Sequence, residues 1–202
     1  MNKQVKKLEK QVKQLTMQAS KPAQPKRRKN RNKKNVAGSQ GSMTITRSEL
    51  VQAISVESGK DDVSKYFVIE PATFAWLKNL STSFTRVVWH SISVEWRSGV
   101  GTTKDGSVVV GIDWRPKTSY VPSRAQVQAC MPNMQMPVWQ SKTMSLPKNK
   151  LMVVKEYIIG DKTAMGTPGD ILINIKCDKV TADTYFGDVW VKYSVTLSGP
   201  EG

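Results

Sequence analysis

Residues 188–197, Asp-Val-Trp-Val-Lys-Tyr-Ser-Val-Thr-Leu, decide the fold class of this chain, because apolar and polar side chains alternate along them with a period of two. Such alternation is typical of a β-strand that turns one face to a core and the other to solvent or to a neighbouring subunit. The residues predicted to face the core are Val189, Val191, Tyr193, Val195 and Leu197. The pattern therefore predicts a strand with one buried face.

Two further segments closer to the middle of the chain show the same alternation. One predicted strand covers residues 84–97, and a second covers residues 107–114. The residues that share their apolar faces are Val88, Ile92, Val94 and Trp96 in the first strand, and Val108, Val110 and Ile112 in the second. The connecting residues 99–107, GVGTTKDGS, contain an Asp-Gly pair and are typical of a hairpin turn.

The remaining apolar runs complete an all-β pattern. Val/Ile-rich runs bounded by Gly, Pro or Asp predict strands at 44–56, 151–159 and 170–176, with weaker candidates near 126–131 and 142–146. One helix is predicted at residues 72–80, directly after Pro71. About eight strands and one short helix predict an all-β sandwich or jelly roll.

The positive charge of the chain is concentrated at its N-terminus. The 202 residues contain 31 Lys and Arg against 16 Asp and Glu, a formal net charge of +15. Residues 1–35 hold 13 basic side chains and one acidic one, a net of +12, so the other 167 residues carry only +3. This distribution predicts a basic arm and hinge over residues 1–42 and one domain of ordinary size over residues 43–202.

The first part of the arm has the pattern of a short amphipathic helix. Its apolar residues recur at spacings of three, four and three, as in the seam of a coiled coil. The seam consists of Val5, Leu8, Val12 and Leu15. Because an isolated helix this short is marginal in water, we expect it either to fray or to form against a partner. The candidate partners are its own copies, a nucleic-acid backbone and an anionic lipid surface.

The second part of the arm, residues 21–35, has no hydrophobe larger than alanine. It buries nothing that would offset the cost of ordering, so we expect it to be disordered in the free protein. The predicted RNA-binding residues are Lys21, Lys26, Arg27, Arg28, Lys29, Arg31, Lys33 and Lys34. Such a run favours binding to phosphates without regard to sequence. A nuclear-localisation signal is the alternative interpretation of the same residues.

Other features argue against several classes of protein. The chain has two cysteines, Cys130 and Cys177, and a single histidine, His90, and their spacing fits neither a zinc site nor a disulfide framework. Both cysteines are predicted to be buried. With no apolar run long enough to span a membrane and no secretory signal, the chain is expected to be soluble and intracellular. His90 is interpreted as a hydrogen-bonded core or interface residue, and no nucleotide-loop or nucleophile motif occurs, so no enzyme is predicted.

Several segments together resemble the coat proteins of small plant positive-strand RNA viruses, the tombusvirus and sobemovirus group. Residues 69–84, IEPATFAWLKNLSTSF, resemble the helix and strand entry of their shell domain, and residues 44–50, TITRSEL, resemble its first strand. Later strands and connections are resembled by residues 94–113, 122–126, 169–175 and 187–200. The resemblance covers roughly residues 43–200 and implies an eight-stranded single jelly roll with a short helix.

The resemblance implies a capsid subunit. Many copies of the body would assemble into an icosahedral shell, and the arms would package single-stranded RNA. It also implies a place in the virion, and in the host-cell cytoplasm during assembly. Because the chain ends at Gly202, directly after the last strand, the shell is expected to be smooth. A viral movement protein or RNA chaperone, and a host nuclear nucleic-acid-binding module, are the alternatives.

Calcium is the one cofactor that the resemblance raises. Family members place it between subunits with two aspartates three positions apart, just after the strand that here ends at Asp113. In this chain the third position after Asp113 is Pro116, and Arg115 lies between them. Since calcium takes about six to eight oxygen ligands, no metal site is assigned to Asp113 alone. A neighbouring subunit would have to add Asp61, Asp62 or Asp170.

Overall fold

The computed structural model describes residues 41–115 and 121–200, in which nine strands form two antiparallel sheets. The strands are Ser42–Val56 (β1), Asp62–Val68 (β2), Phe84–Ser98 (β3), Gly106–Asp113 (β4), Asn133–Pro137 (β5), Lys142–Ser145 (β6), Tyr157–Ile158 (β7), Asp170–Cys177 (β8) and Thr184–Pro200 (β9). The helices are a 3-10 turn at Pro71–Thr73 and the α-helices Ala75–Ser81 (α1), Arg124–Ala129 (α2) and Lys148–Leu151 (α3). No described helix is long and apolar enough to cross a membrane.

Each sheet joins strands that are far apart in the sequence. The first sheet has the order β1-β9-β3-β6, with β7 also paired to β3, and the second has the order β2-β8-β4-β5. The first and last described strands are neighbours, with Ser42 opposite Ser198. A five-stranded and a four-stranded sheet interleaved in this way form a jelly roll, so the predicted fold is confirmed.

The core lies between the two sheets. All five residues of β9 that were predicted to face it are buried, at 1% exposure or less. Phe74, Trp89 and Tyr193 form an aromatic cluster, with ring centroids 5.1 to 6.1 Å apart. Such large apolar side chains contribute most of the burial that stabilises a domain of this size.

The predicted face of β3 is wrong in its first half. Against β9 the register passes from Trp89 opposite Val195 to Ser91 opposite Ser194, so His90 is the extra residue of a β-bulge. The bulge reverses the alternation: Val87 and Trp89 are buried before it, and Ile92 is buried after it. Val88 therefore lies on the outer face, only half-buried.

Four local predictions also need correction. Residues 126–131 belong mainly to helix α2, which starts at a capping box between Ser123 and Gln126, instead of forming a strand. Of residues 151–159, only Tyr157 and Ile158 pair with β3, and Val153 is 74% exposed. The predicted hairpin at 99–107 is a crossover, because β3 and β4 belong to different sheets. Cys177 is buried as predicted, but Cys130 is half-buried.

Two strands, β2 and β5, were not predicted from the sequence. The apolar residues of β2 are only partly buried, and Lys65 interrupts the face that Val63 and Phe67 turn to the core. In β5 the alternation rests on Met134 and Met136, which are buried while their neighbours are not. A pattern that depends on Val and Ile misses strands whose apolar positions are filled by Met.

Replacing Gly187 by alanine is expected to destabilise the body by about 3 kcal/mol. At its φ of 155°, an added Cβ would lie 2.3 Å from the carbonyl oxygen of Arg97 and 2.8 Å from the Trp96 ring. Gly101→Ala is the matched control, since an added Cβ there meets nothing within 4 Å. Urea unfolding of the unassembled protein measures both, and equal stabilities of the two variants would contradict the steric explanation.

Candidate nucleic-acid interface

The predicted RNA-binding residues and the four seam residues of the arm lie outside the described part of the chain. Their roles and the domain boundary therefore stay predictions. The described part of the chain starts at Gly41, just before β1 begins at Ser42. Ser42 is opposite Ser198, and on the next strand Phe84 is opposite Pro200. We call this end of the sandwich the arm-entry end and the opposite one the distal end.

The direction of each strand assigns most connecting segments to one of the two ends. The segments at the arm-entry end are residues 69–83, the described parts of 114–132, and 159–169, whereas residues 146–156 run along the edge of the first sheet, because β6 and β7 pair with β3 in the same direction. The segments at the distal end are residues 57–61, 99–105, 138–141 and 178–183. Helix α1 belongs to a segment of the arm-entry end, whereas α2 packs on the outer side of the second sheet through Val127.

Both ends of the sandwich carry charged residues in these segments. Among the described residues, the arm-entry segments hold three cations and two carboxylates, a net of +1, and the distal segments hold three cations and five carboxylates, a net of −2. The arm-entry set is Lys78, Arg115 and Lys162 with Glu70 and Asp161, and Arg124 is left out because its guanidinium reaches Ser107, at the distal end of β4. The distal set is Lys60, Lys104 and Lys179 with Glu57, Asp61, Asp105, Asp178 and Asp183. The connecting segments of the two ends thus differ only slightly in charge.

Three carboxylates, those of Glu70, Glu156 and Asp161, already have partners within the chain. Glu70 lies 3.3 Å from the Lys162 ammonium, and Glu156 lies 3.0 Å from the Arg86 guanidinium. Asp161 accepts a hydrogen bond of 2.7 Å from the backbone N–H of Thr163, and this bond lowers the pKa of its carboxyl. Each of these carboxylates therefore interacts with a group of the same chain.

A buried carboxylate fixes helix α1 against the first sheet. Glu49 on β1 is only 7% exposed. Its Oε2 accepts a hydrogen bond of 2.7 Å from the backbone N–H of Trp76, in the first turn of α1, and its Oε1 accepts one from the Tyr193 hydroxyl. Burial, and then the bond to Glu49, raise the pKa of Tyr193, so its hydroxyl stays a donor. Nothing in the sequence singled out this residue.

A polar network on the outer side of the second sheet holds helix α2. Arg124 donates to the Ser107 hydroxyl at 2.7 Å and to the Asn174 side-chain oxygen at 2.8 Å. Asn174 in turn donates to the Ser64 hydroxyl at 2.9 Å. Partial burial lowers the pKa of Arg124. The network lines an open cleft of about 790 Å³. The Ser-x-x-Gln capping box was the sequence signal that could have revealed helix α2.

Asp113 lies at the end of β4, 7% exposed, directly opposite Asp170 on β8. Its Oδ1 accepts hydrogen bonds from Arg115, from the backbone N–H at 3.0 Å and from Nε at 3.3 Å. Within the described residues, no group of three or more His, Cys, Asp or Glu side chains is placed to hold a metal ion. Asp61 pairs with Lys176 at the other end of the sandwich. One body alone therefore does not fit the oxygen-rich site that calcium needs.

His90 lies on the outer face of the first sheet, at the bulge. It is half-buried, and its Nε2 is 2.7 Å from the Thr196 hydroxyl, which is 2.7 Å from the Thr44 hydroxyl. This chain of hydrogen bonds links β3, β9 and β1 near the arm-entry end. The predicted hydrogen bond of His90 is therefore confirmed, on the outer face of the sheet.

A second open cleft, of about 530 Å³, lies at the arm-entry end between α3 and the segment after β4. Arg115 and Lys150 contribute its cations, Asp113, which is paired with Arg115, contributes a carboxylate, and Trp114 also lines it. The Trp114 ring is held in place because its Nε1 donates a hydrogen bond of 2.7 Å to the carbonyl of Met131. Cations beside an aromatic ring are a combination that binds single-stranded nucleic acid in other proteins.

The chain matches the family model of the viral coat protein (S domain) over residues 17–202. No curated protein sequence matches it.

The body is also similar to solved virus structures. It is similar to tobacco necrosis virus with a TM-score of 0.69 and 15% identity, over 80% of this chain and 97% of that chain. It is similar to mud crab tombus-like virus with a TM-score of 0.66 and 16% identity, over 93% and 98%. For cucumber necrosis virus the TM-score is 0.67 and the identity 21%, over 81% of this chain and 58% of that chain. At these identities the likeness shows the shared fold.

Proposed function

The chain belongs to the viral coat protein (S domain) family, and from this premise we propose that it assembles into a closed shell and packages single-stranded RNA through its basic arm. Of the three classes of protein that the sequence left open, family membership selects the coat protein, a structural component of the virion. Assembly in the host-cell cytoplasm is part of the proposal.

The observation that carries the proposal is the separation of charge from fold. Residues 1–35 hold +12 of the net charge of +15. They precede a jelly roll whose described residues hold 17 Lys and Arg against 14 Asp and Glu, a net of only +3. A segment rich in Lys and Arg binds phosphates strongly without regard to base sequence. A jelly roll supplies the defined geometry that such a segment lacks.

In this mechanism the arm and the jelly-roll body have different roles. Contacts between bodies set the geometry of the shell and bring many arms to one side of it. Each arm neutralises RNA phosphates, and the many copies raise the overall avidity, because every further arm binds RNA that is already held close by. RNA in turn neutralises arms that would repel one another.

Electron microscopy of the purified full chain with single-stranded RNA tests this function. We expect uniform closed particles that protect the RNA from nuclease at physiological ionic strength. A protein that binds the same RNA but leaves it open to nuclease, with no particles on the grid, would contradict the proposal. The salt dependence of binding provides a second readout, since phosphate contacts weaken steeply as salt rises.

A further inference from the structure

We propose that Arg124 is a contact residue between subunits, and that its guanidinium binds an aspartate carboxylate of a second copy of the chain. The inference rests on the proposed assembly into a shell and deepens it, because it names one contact that holds neighbouring bodies together. The place of this contact is the open cleft of about 790 Å³ on the outer side of the second sheet. We call it the Arg124 cleft.

The hydrogen bonds of Arg124 use only part of its guanidinium. Nη1 donates to the Ser107 carbonyl at 3.3 Å and to the Asn174 side-chain oxygen at 2.8 Å, and Nη2 donates to the Ser107 hydroxyl at 2.7 Å. The N–H of Nε and the second N–H of Nη2 have no acceptor among the described residues. These two groups lie side by side on the planar guanidinium, and such a pair binds both oxygens of a carboxylate.

The positive charge of Arg124 is not balanced within one body. In residues 41–115 and 121–200 it forms no ion pair, and its three hydrogen-bond acceptors are all neutral. The side chain is half-buried, and this partial loss of water lowers the pKa of the guanidinium. Because a partly buried cation without a counter-ion is unfavourable, a carboxylate that enters the cleft would stabilise it.

The other charges of the Arg124 cleft largely cancel one another. Two ion pairs involve its lining, Lys60 with Glu57 and Lys176 with Asp61. Lys65 and Asp62 add one charge of each sign. The charge that remains is the single positive charge of Arg124, so the cleft suits one carboxylate.

A second copy of the chain fits this cleft better than RNA. A nucleic-acid backbone brings a row of phosphates and is attracted by many uncompensated cations, whereas here it would meet one, beside the carboxylates of Glu57 and Asp62. The cleft is also lined by Val121, which is 77% exposed. An apolar side chain near an arginine is typical of an interface between proteins.

The chain itself supplies carboxylates that have no partner in one body. Asp105 and Asp178 lie in the distal segments, and both are exposed. Within the part of the chain that the structure describes, neither side chain forms an ion pair or a hydrogen bond. The distal segments carry a net charge of −2, which complements the positive cleft. One of these two aspartates on a neighbouring copy is therefore the expected partner of Arg124.

The test measures the concentration of full chain above which particles form with single-stranded RNA, by light scattering. The variants are R124Q, D105N, D178N and the double variants that combine R124Q with each aspartate change. Lys78→Gln is the matched control, because it removes one cation from an exposed position on helix α1, outside the cleft. Urea unfolding of the dilute, unassembled protein shows whether each variant is folded. The two aspartates are exposed, so their replacement tests the contact even if R124Q lowers the stability of the body.

Losing one partner of the ion pair should raise the assembly concentration by at least about tenfold in R124Q and in one of the two aspartate variants. The double variant of that pair should assemble no worse than its single variants, because both lose the same interaction, and K78Q should assemble like the unmodified chain. Normal assembly of R124Q, or of both D105N and D178N, would overturn the inference. So would an effect of K78Q as large as that of R124Q, which would reflect net charge alone.

A second measurement distinguishes RNA as the occupant. Fluorescence anisotropy of the dilute, unassembled protein with polyuridylate should give the same dissociation constant for R124Q and the unmodified chain. If R124Q weakened this binding while both aspartate variants assembled normally, the cleft would bind RNA and the inference would be wrong. If the unmodified chain formed no particles, the proposed function itself would fail, whereas normal assembly of R124Q contradicts the inference alone.

Discussion

Replacing Glu49 by alanine is expected to lower the free energy of unfolding of the body by about 3 to 5 kcal/mol. The substitution removes both acceptor oxygens and leaves two donors without a partner, the backbone N–H of Trp76 and the hydroxyl of Tyr193. Each buried donor without an acceptor costs about 1 to 3 kcal/mol. Domains of this size are stable by only about 5 to 15 kcal/mol. The substitution would therefore remove a large part of the free energy of unfolding of the unassembled protein.

Three comparisons separate the hydrogen bonds from the loss of packing. Glu49→Gln keeps the shape and one acceptor oxygen, so it should cost about 1 to 2 kcal/mol. Tyr193→Phe removes one donor and leaves Glu49 in place. In the double variant E49A/Y193F the second loss should be smaller than in the unmodified chain, because the two groups share one interaction. The measurement is urea unfolding followed by tryptophan fluorescence, and a cost below about 1 kcal/mol for E49A would contradict the role assigned to Glu49.

The buried face of a strand could be predicted from the sequence where the residues of that strand alone determine it. In β9 the alternation from Val189 to Leu197 is unbroken, because a strand with one buried face needs apolar residues at every second position. In β3 the same logic failed at His90. Whether a strand carries an extra residue depends on its register against β9, which is set by side chains about a hundred residues away.

The candidate site shows the same limit. The excess of positive charge in residues 1–35 can be seen in the sequence, because the cations are close together along the chain. The role of Glu49 cannot be seen there, since it depends on where the folded chain brings distant segments together. Glu49 meets Trp76 and Tyr193, which are 27 and 144 positions away. The small difference in charge between the two ends likewise appears only once the strand directions are known.

Removing residues 1–35 is expected to abolish RNA packaging while leaving the body folded. The deletion removes a net charge of +12, whereas the jelly roll begins at Ser42 and its core residues lie within residues 54–197. Seven of the deleted cations are crowded into nine positions, 26–34. Losing that many phosphate contacts should weaken binding of single-stranded RNA by roughly three orders of magnitude at moderate salt. Nuclease-protected RNA per particle or per subunit is the measurement, with circular dichroism to verify the folded body.

A charge-preserving variant shows whether charge or sequence carries the effect. Exchanging every Lys for Arg and every Arg for Lys at the cationic positions of residues 26–34 keeps the charge of the arm and changes its sequence. Because phosphate binding by such a segment depends on the number of contacts, this variant should package RNA almost as well as the unmodified chain. If it failed as completely as the deletion, the arm would recognise RNA through a specific sequence. If instead the deleted chain still protected RNA at physiological salt, the arm would not be the packaging element, and the body would have to bind the RNA without it.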